Sequence, residues 1–293
     1  MKLLFVALSI IFYCSCSAQP KPIYNKNNNS LLWEVSGNGL KEPSYLFGTF
    51  HLMCKADILF STQLTNVFAN VDKVYMEMDM DDPAILMGGV LLMNMKNGTT
   101  LEQLYSAAAY KKVSSYFSDS LHLPLAFIQQ IKPFFLEALL FPKMMPCKSI
   151  SGVEEELVKM AKLKKKEIRG LETMDFQAAV FDSIPYQKQA IELLKAIDSM
   201  AVYQSEFDAM TAVYKNQQLA AMENLFNTTS FGRQDHQDLL LYDRNNNWVQ
   251  QLKLIMPQTK VFVAVGAAHL IGKKGLIALL RKQGFSVKPL LNL

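Results

Sequence analysis

Two apolar runs in this chain end in the same phrase, Gly48-Thr49-Phe50-His51 and Gly266-Ala267-Ala268-His269, and they lie at its opposite ends. Ser44 to Phe47 leads into the first and Val261 to Val265 into the second, and both runs read as strands. Open α/β sheets place their ligands at the carboxyl ends of parallel strands. A glycine closing such a strand lets the backbone turn sharply, or leaves room for a ligand or another backbone. A histidine three residues further on is then held at the mouth of the sheet. The chain has four histidines in 293 residues, so two in one context point to a paired-imidazole site. If that site is shared, both ends of the chain enter one sheet. The expected fold is therefore α/β: a central, mostly parallel sheet built from both chain ends, with a large helical insertion over about 82–256.

Local signals fill in that plan. Leu31 to Ser36 and Ser44 to Phe50 read as a hairpin around Gly37-Asn38-Gly39. Asp57 is placed to cap a helix carrying Ile58, Leu64, Val67, Phe68 and Val71 on one face. Val74 to Asp79 follows as a strand, with Glu77 opposite Met76 and Met78. Asp82-Pro83 starts the helical middle, and Thr99-x-x-Glu102 and Ser151-x-x-Glu154 read as capping boxes. Lys166 to Leu171 is a short strand between helices. The chain closes with a strand (260–266), a helix (273–283) and a strand (284–290). Residues 31–293 form one domain in this reading.

The first 18 residues have the layout of a secretory signal: Lys2, the apolar run Leu3 to Tyr13, then small residues up to Ala18. Cleavage before Gln19 is favoured, with lipidation of Cys16 or Cys14 as the other route. Residues 19–30, with Asn27-Asn28-Asn29, are a polar tether. The expected location is periplasmic or secreted, with a lipid anchor if a cysteine is acylated. No later run is long and apolar enough for a transmembrane helix. A formal net charge of +4 gives no reason to expect a nucleic-acid partner. Outside the signal only Cys54 and Cys147 remain, and an even pair in an exported chain favours a disulfide. The competing reading joins Cys54 to His51 as part of a metal site.

Glu77 would complete a His-His-Glu metal site with His51 and His269, or act as a general base beside them. Arg244 recurs at helical spacing with Leu241, Trp248, Leu252 and Ile255, so it must find a partner or line a polar cavity. Glu77 and Glu172 are its candidate partners, and a substrate carboxylate is another. Glu172 ends the strand before it and also points toward a sheet mouth. His122 and His236 read as surface residues, and the methionines from Met76 to Met95 as core packing. No phosphate-binding loop, dinucleotide fingerprint, serine elbow or HExxH phrase is present.

In order along the chain, these blocks resemble the TraB/PrgY/GumN family, which includes the animal Tiki proteins. Tyr45 to Leu52 is similar to its GTxH motif, and Val74 to Asp79 to its acidic strand. Gly170-Leu171-Glu172-Thr173 followed by Gln177 resembles a central block. Arg244-Asn245 matches an RN pair, and Gly266 to Leu270 with Gly272 and Gly275 a final glycine-rich block. Glu154 departs from the family, which often has aspartate in that phrase. The resemblance implies a metal-dependent hydrolase, most consistent with a peptidase on peptide or protein substrates. His51, His269 and Glu77 would hold a divalent ion such as zinc, manganese or cobalt. Glu77, Arg244 and Glu172 are the catalytic candidates, Arg244 and Asn245 the substrate-binding ones, and Gly48, Gly266 and Gly272 the structural turns. The alternatives are a metal-independent hydrolase with a His/Glu general base, as in erythromycin-esterase-like proteins, and a non-catalytic peptide- or haem-binding protein.

Overall fold

Six strands form one sheet in the order β6-β4-β7-β2-β1-β8. They are β1 (Leu32–Ser36), β2 (Ser44–Thr49), β4 (Lys73–Met76), β6 (Glu167–Gly170), β7 (Val261–Gly266) and β8 (Ser286–Pro289). The computed structural model describes residues 29–82, 89, 92–230 and 234–292. The expected signal segment, the expected tether as far as Asn28 and the expected helix start at Pro83 lie outside these residues. Ser30, read as tether, belongs to the fold: it is buried, and its hydroxyl donates to Leu290 O at 2.7 Å.

The two chain ends meet at the centre of the sheet. β2 pairs parallel with β7, and β7 with β4, which pairs parallel with β6. Only β1 runs against its neighbours, β2 and β8. Every residue of β2 and β7 is buried, as expected of parallel strands covered on both faces. Phe262 of β7 lies 5.9 Å from Phe47 of β2 and 5.0 Å, edge-on, from Phe68 in the helix Thr62–Ala69, measured between ring centroids. These contacts lock strand register and the covering helix together.

Among the described residues, the region between β6 and β7 is largely helical, as is most of that between β4 and β6. Much of it has its own core of Leu101, Val113, Phe117, Leu136, Leu193 and Phe207, among others. Phe50 packs against both this core and the sheet core, immediately before His51. A two-stranded ribbon, β3 (Met53–Cys54) with β5 (Ile150–Ser151), follows His51 and is closed by a Cys54–Cys147 disulfide. No helix among the described residues is long and apolar enough to cross a membrane.

Local capping differs from the sequence reading in three places. The helix at Thr62 is capped by Ser61, whose hydroxyl accepts from Leu64 N at 3.0 Å; Asp57 instead ends a short 3-10 turn. The first box is shifted by one residue, with Gln103 accepting from the Thr100 N–H at 3.0 Å. Ser151 lies in β5 and Gly152 precedes the helix Val153–Leu163, so Glu154 is not a cap. Its carboxylate is used elsewhere.

Candidate active site

Four parallel strands deliver four side chains to one edge. His51 follows β2, Glu77 follows β4, Glu172 follows β6, and His269 follows β7. The register brings Thr49 beside Gly266 and Met76 beside both Ala264 and Gly170, so the strand ends are level. Backbone bonds from Leu171 N to Met76 O (2.8 Å) and Glu172 N to Glu77 O (2.9 Å) extend the pairing into the acidic residues. The helix Asp243–Ile255 crosses this edge and lowers Arg244 into it.

Arg244 is only 7 % exposed, and its guanidinium is fully committed. Nε donates to both Glu172 oxygens at 3.0 Å, Nη2 to Glu77 Oε2 at 2.6 Å, and Nη1 to Leu240 O at 2.9 Å. Leu240 lies in a single turn of π-helix, Asp238–Tyr242, that leads into the Arg244 helix. Such turns recur at functional sites. Trp248, one turn along, packs its ring 4.8 Å from the guanidinium and donates its Nε1 to Glu172 Oε1 at 2.8 Å. Burial would lower the Arg244 pKa, but Glu77 and Glu172 raise it. A buried cation survives here because two carboxylates neutralise it.

Two residues of expected function have their polar atoms engaged within the fold. Glu172 was expected to be catalytic, yet its oxygens are occupied by Arg244 and Trp248, and Gln177 donates to Oε2 at 3.3 Å. It holds Arg244 in place. Asn245 was expected to bind substrate, but it is fully buried. Its Nδ2 donates to the carbonyls of His269 (3.3 Å) and Lys274 (2.9 Å), which fixes Oδ1 as the acceptor. His269 Nδ1 must then be the donor across the 2.7 Å contact, leaving a lone pair on Nε2. Arg244 Nη1 approaches that Nε2 at 3.4 Å, consistent with an unprotonated nitrogen. Burial depresses the His269 pKa to about 3 against the pull of Glu77, so the ring is neutral. Trp248 stacks against it with centroids 4.4 Å apart.

His51 is held in the same manner by a different group. Glu154 Oε1 accepts from His51 Nδ1 at 2.7 Å and from the Thr49 hydroxyl at 2.5 Å. The Glu154 carboxylate raises the imidazole pKa to about 9. The ring is 75 % exposed, so solvent screens this attraction, while direct contact fixes its direction. Burial would raise the Glu154 pKa in turn, but His51 and Thr49 bring it below the ordinary range. The Ser151-x-x-Glu154 spacing hid this role behind a local capping pattern. Only the pairing of β3 with β5 brings Glu154 to His51.

Glu77 is the centre of the cluster. Oε1 accepts from Gly266 N at 2.9 Å and lies 3.7 Å from His269 Nε2. Burial would raise its carboxyl, but His269, Arg244 and His51, with the Gly266 N–H, hold it below the carboxylate range. Because His269 is neutral, Arg244 supplies the decisive charge at neutral pH.

The glycines also act differently from the turns expected of them. Gly48 lies within β2, where a Cβ would stand 2.9 Å from Leu270 Cδ1, so it permits close packing and makes no turn. A Cβ on Gly266 would stand 3.3 Å from Glu77 Oε1, 3.6 Å from His51 Nε2 and 3.7 Å from His269 Cδ2. Gly266 therefore keeps open the space between the three groups. Gly272, at φ +79°, does make a turn. His122 caps a helix from the left-handed region and is exposed, apart from this cluster.

The cluster opens into a cavity of about 690 Å³ lined by His51, Glu77, Glu154, Gln177, Arg244 and His269, among others. Two imidazoles and a carboxylate face one gap beside Gly266. Among the described residues, no group of three or more His, Cys, Asp or Glu side chains is placed to hold a metal ion as it stands. Glu77 is instead engaged by Arg244 and by the Gly266 N–H.

The fold and this edge define an α/β protein whose polar site is assembled from four parallel strand ends under a helix-borne arginine. The chain belongs to the TraB/PrgY/gumN family, whose profile matches residues 31–289. It is also similar to "Metalloprotease TIKI2" of Danio rerio, 26 % identical over 119 residues, covering 40 % of this chain and 21 % of that protein. No solved structure matches the chain.

Proposed function

We propose that this protein is a metal-dependent hydrolase of peptides, with His51, His269 and Glu77 as the ligands of a divalent ion. One observation carries the reading. Each imidazole is anchored through Nδ1, by Glu154 or Asn245, which turns Nε2 toward Glu77 and Gly266, with Arg244 Nη1 3.4 Å from that of His269. A ring whose second nitrogen is held by a carboxylate or carbonyl is the usual arrangement of a metal-ligating histidine. The similarity to a protein named as a metalloprotease supports the same reading. Held by these residues, a divalent ion would supply a lowered pKa for a bound water and polarisation of a carbonyl.

The chain's own residues prepare that chemistry. Glu154 and Asn245 fix the ring orientations. Glu172, Trp248 and Leu240 O hold the guanidinium at the cavity wall, against Glu77 and His269. Arg244 also keeps Glu77 ionised.

A metal-independent reading rests on the 2.6 Å Arg244–Glu77 contact, which already supplies a fixed cation beside the two imidazoles. It is the weaker reading. An efficient general base titrates near the working pH, whereas burial lowers the His269 pKa and the Glu154 carboxylate raises that of His51. Incubating the protein with a peptide mixture, with and without chelator, separates the readings by mass spectrometry. Cleavage that chelator abolishes and added metal restores is the expected outcome. Chelator-resistant cleavage supports the metal-independent hydrolase, and intact peptides in both arms overturn both.

A further inference from the structure

An apolar recess of about 280 Å³ opens beside the polar cluster. Phe50, Leu52, Phe207, Met210, Met222 and Phe226 contribute to its lining, and His51 and Gly266 stand at its edge. The same two residues, with Phe226 and Leu52, also line the polar cavity, so the recess adjoins the proposed reacting centre directly. His51 is the only titratable side chain among those lining it. Its walls are tied down: Phe50 stacks on Tyr214 with centroids 5.0 Å apart and on Phe207 at 5.9 Å. Tyr214 donates its hydroxyl to Gly48 O at 3.0 Å, which fixes this aromatic wall to β2.

We propose that this recess is a specificity pocket for one bulky uncharged side chain, aromatic or long aliphatic, of the substrate residue flanking the bond to be cleaved. The proposal rests on the hydrolase reading for its place in the reaction, and on the recess itself for its chemistry. The volume is below the ~300–1,000 Å³ usual for sites that enclose a whole drug-sized ligand. One large side chain suits it better than a whole ligand. A charged side chain entering it would lose its hydration with no counter-charge except His51, and desolvation of an unpaired charge is strongly unfavourable. The two methionines are adaptable linings, which favours a class of bulky apolar side chains over one shape. Phe207, Met210 and Met222 are held in the packed interior, so the pocket is formed before substrate arrives.

The test uses the whole protein and two readouts. First, methyl spectra of methionine-labelled protein, assigned with Met210→Leu and Met222→Leu, are recorded while N-acetyl-phenylalaninamide, N-acetyl-leucinamide or N-acetyl-lysinamide is added. The Met210 and Met222 methyls should shift saturably with the first two probes and at least about tenfold more weakly with the third, the discrimination typical of an apolar pocket. An equal response to all three, or none at these methyls, overturns the pocket whether or not the protein cleaves anything. Second, cut sites in a peptide mixture should be enriched in Phe, Leu and Met at a single position beside the scissile bond. Met210→Trp, which fills the recess, should shift that preference to small residues while metal content is unchanged. Cleavage without positional preference overturns the pocket and leaves the hydrolase reading standing. Saturable methyl shifts without any cleavage support the pocket and overturn the hydrolase reading.

Discussion

Glu154 sets the charge on His51, and this gives the site a pH dependence with a definite sign. In ion-free protein the folded-state pKa of His51 is raised from 6.5 to about 9. The stabilisation is therefore complete below about pH 6.5 and is lost as pH rises through about 9. The apparent Tm of ion-free protein should fall over that interval, and Glu154→Gln should flatten the fall. An equal slope in the variant would show that another group is responsible. Metal binding has the opposite sense, because an ion must displace the His51 proton, so affinity should increase as pH approaches 9. Glu77 behaves differently: its folded pKa is depressed, so its contribution is present above the ordinary carboxylate range and disappears on acidification. Arg244→Ala leaves Glu77 and Glu172 without their buried cation, and a loss of about 3–5 kcal/mol is expected in denaturant titrations. A change below about 1 kcal/mol would mean that water replaces the guanidinium easily.

At the scale of elements, the strand ends were legible because glycine, alternation and a following histidine are all local signals. His51, His269 and Glu77, which the fold brings to one strand edge, were picked out in that way, and Arg244 by an arginine falling within an apolar helical stripe. Glu154 was not legible as a site residue. Its spacing from Ser151 satisfied a capping rule, and the contact that matters depends on a ribbon joining residues 103 apart in sequence. That the polar atoms of Asn245 and Glu172 are already occupied within the fold is a tertiary fact that sequence does not show. The glycines test this distinction between local and tertiary causes. Gly275→Ala would put a Cβ 2.2 Å from Ile271 O and should prevent normal folding. Gly266→Ala meets Glu77 Oε1 at 3.3 Å, so a cost of about 1–3 kcal/mol is expected. Metal affinity should fall at least about tenfold, as it does when the support of a ligand is disturbed. Thermal melts and metal titration of the two variants check both statements. Metal affinity retained in a folded Gly266→Ala protein would show that the gap beside this glycine is not the site.

Over the whole molecule, chain ends far apart in sequence form one sheet edge, while the helical middle supplies Glu154, Glu172 and Arg244 to it. The Cys54–Cys147 bond, with a sequence separation of 93, ties that middle to the segment just after His51. Loop-closure entropy for such a length gives about 4–5 kcal/mol, so the Cys54→Ser/Cys147→Ser protein should unfold at markedly lower denaturant. An unchanged midpoint would show that the reduced chain is already restrained by other contacts. The central claim is that His51, His269 and Glu77 hold one divalent ion, and metal stoichiometry after equilibrium dialysis tests it most directly. Wild-type protein should bind one equivalent of zinc, manganese or cobalt, while folded His51→Ala and His269→Ala variants bind none. One equivalent retained in both variants, or none in the wild type with any of the three metals, would contradict it.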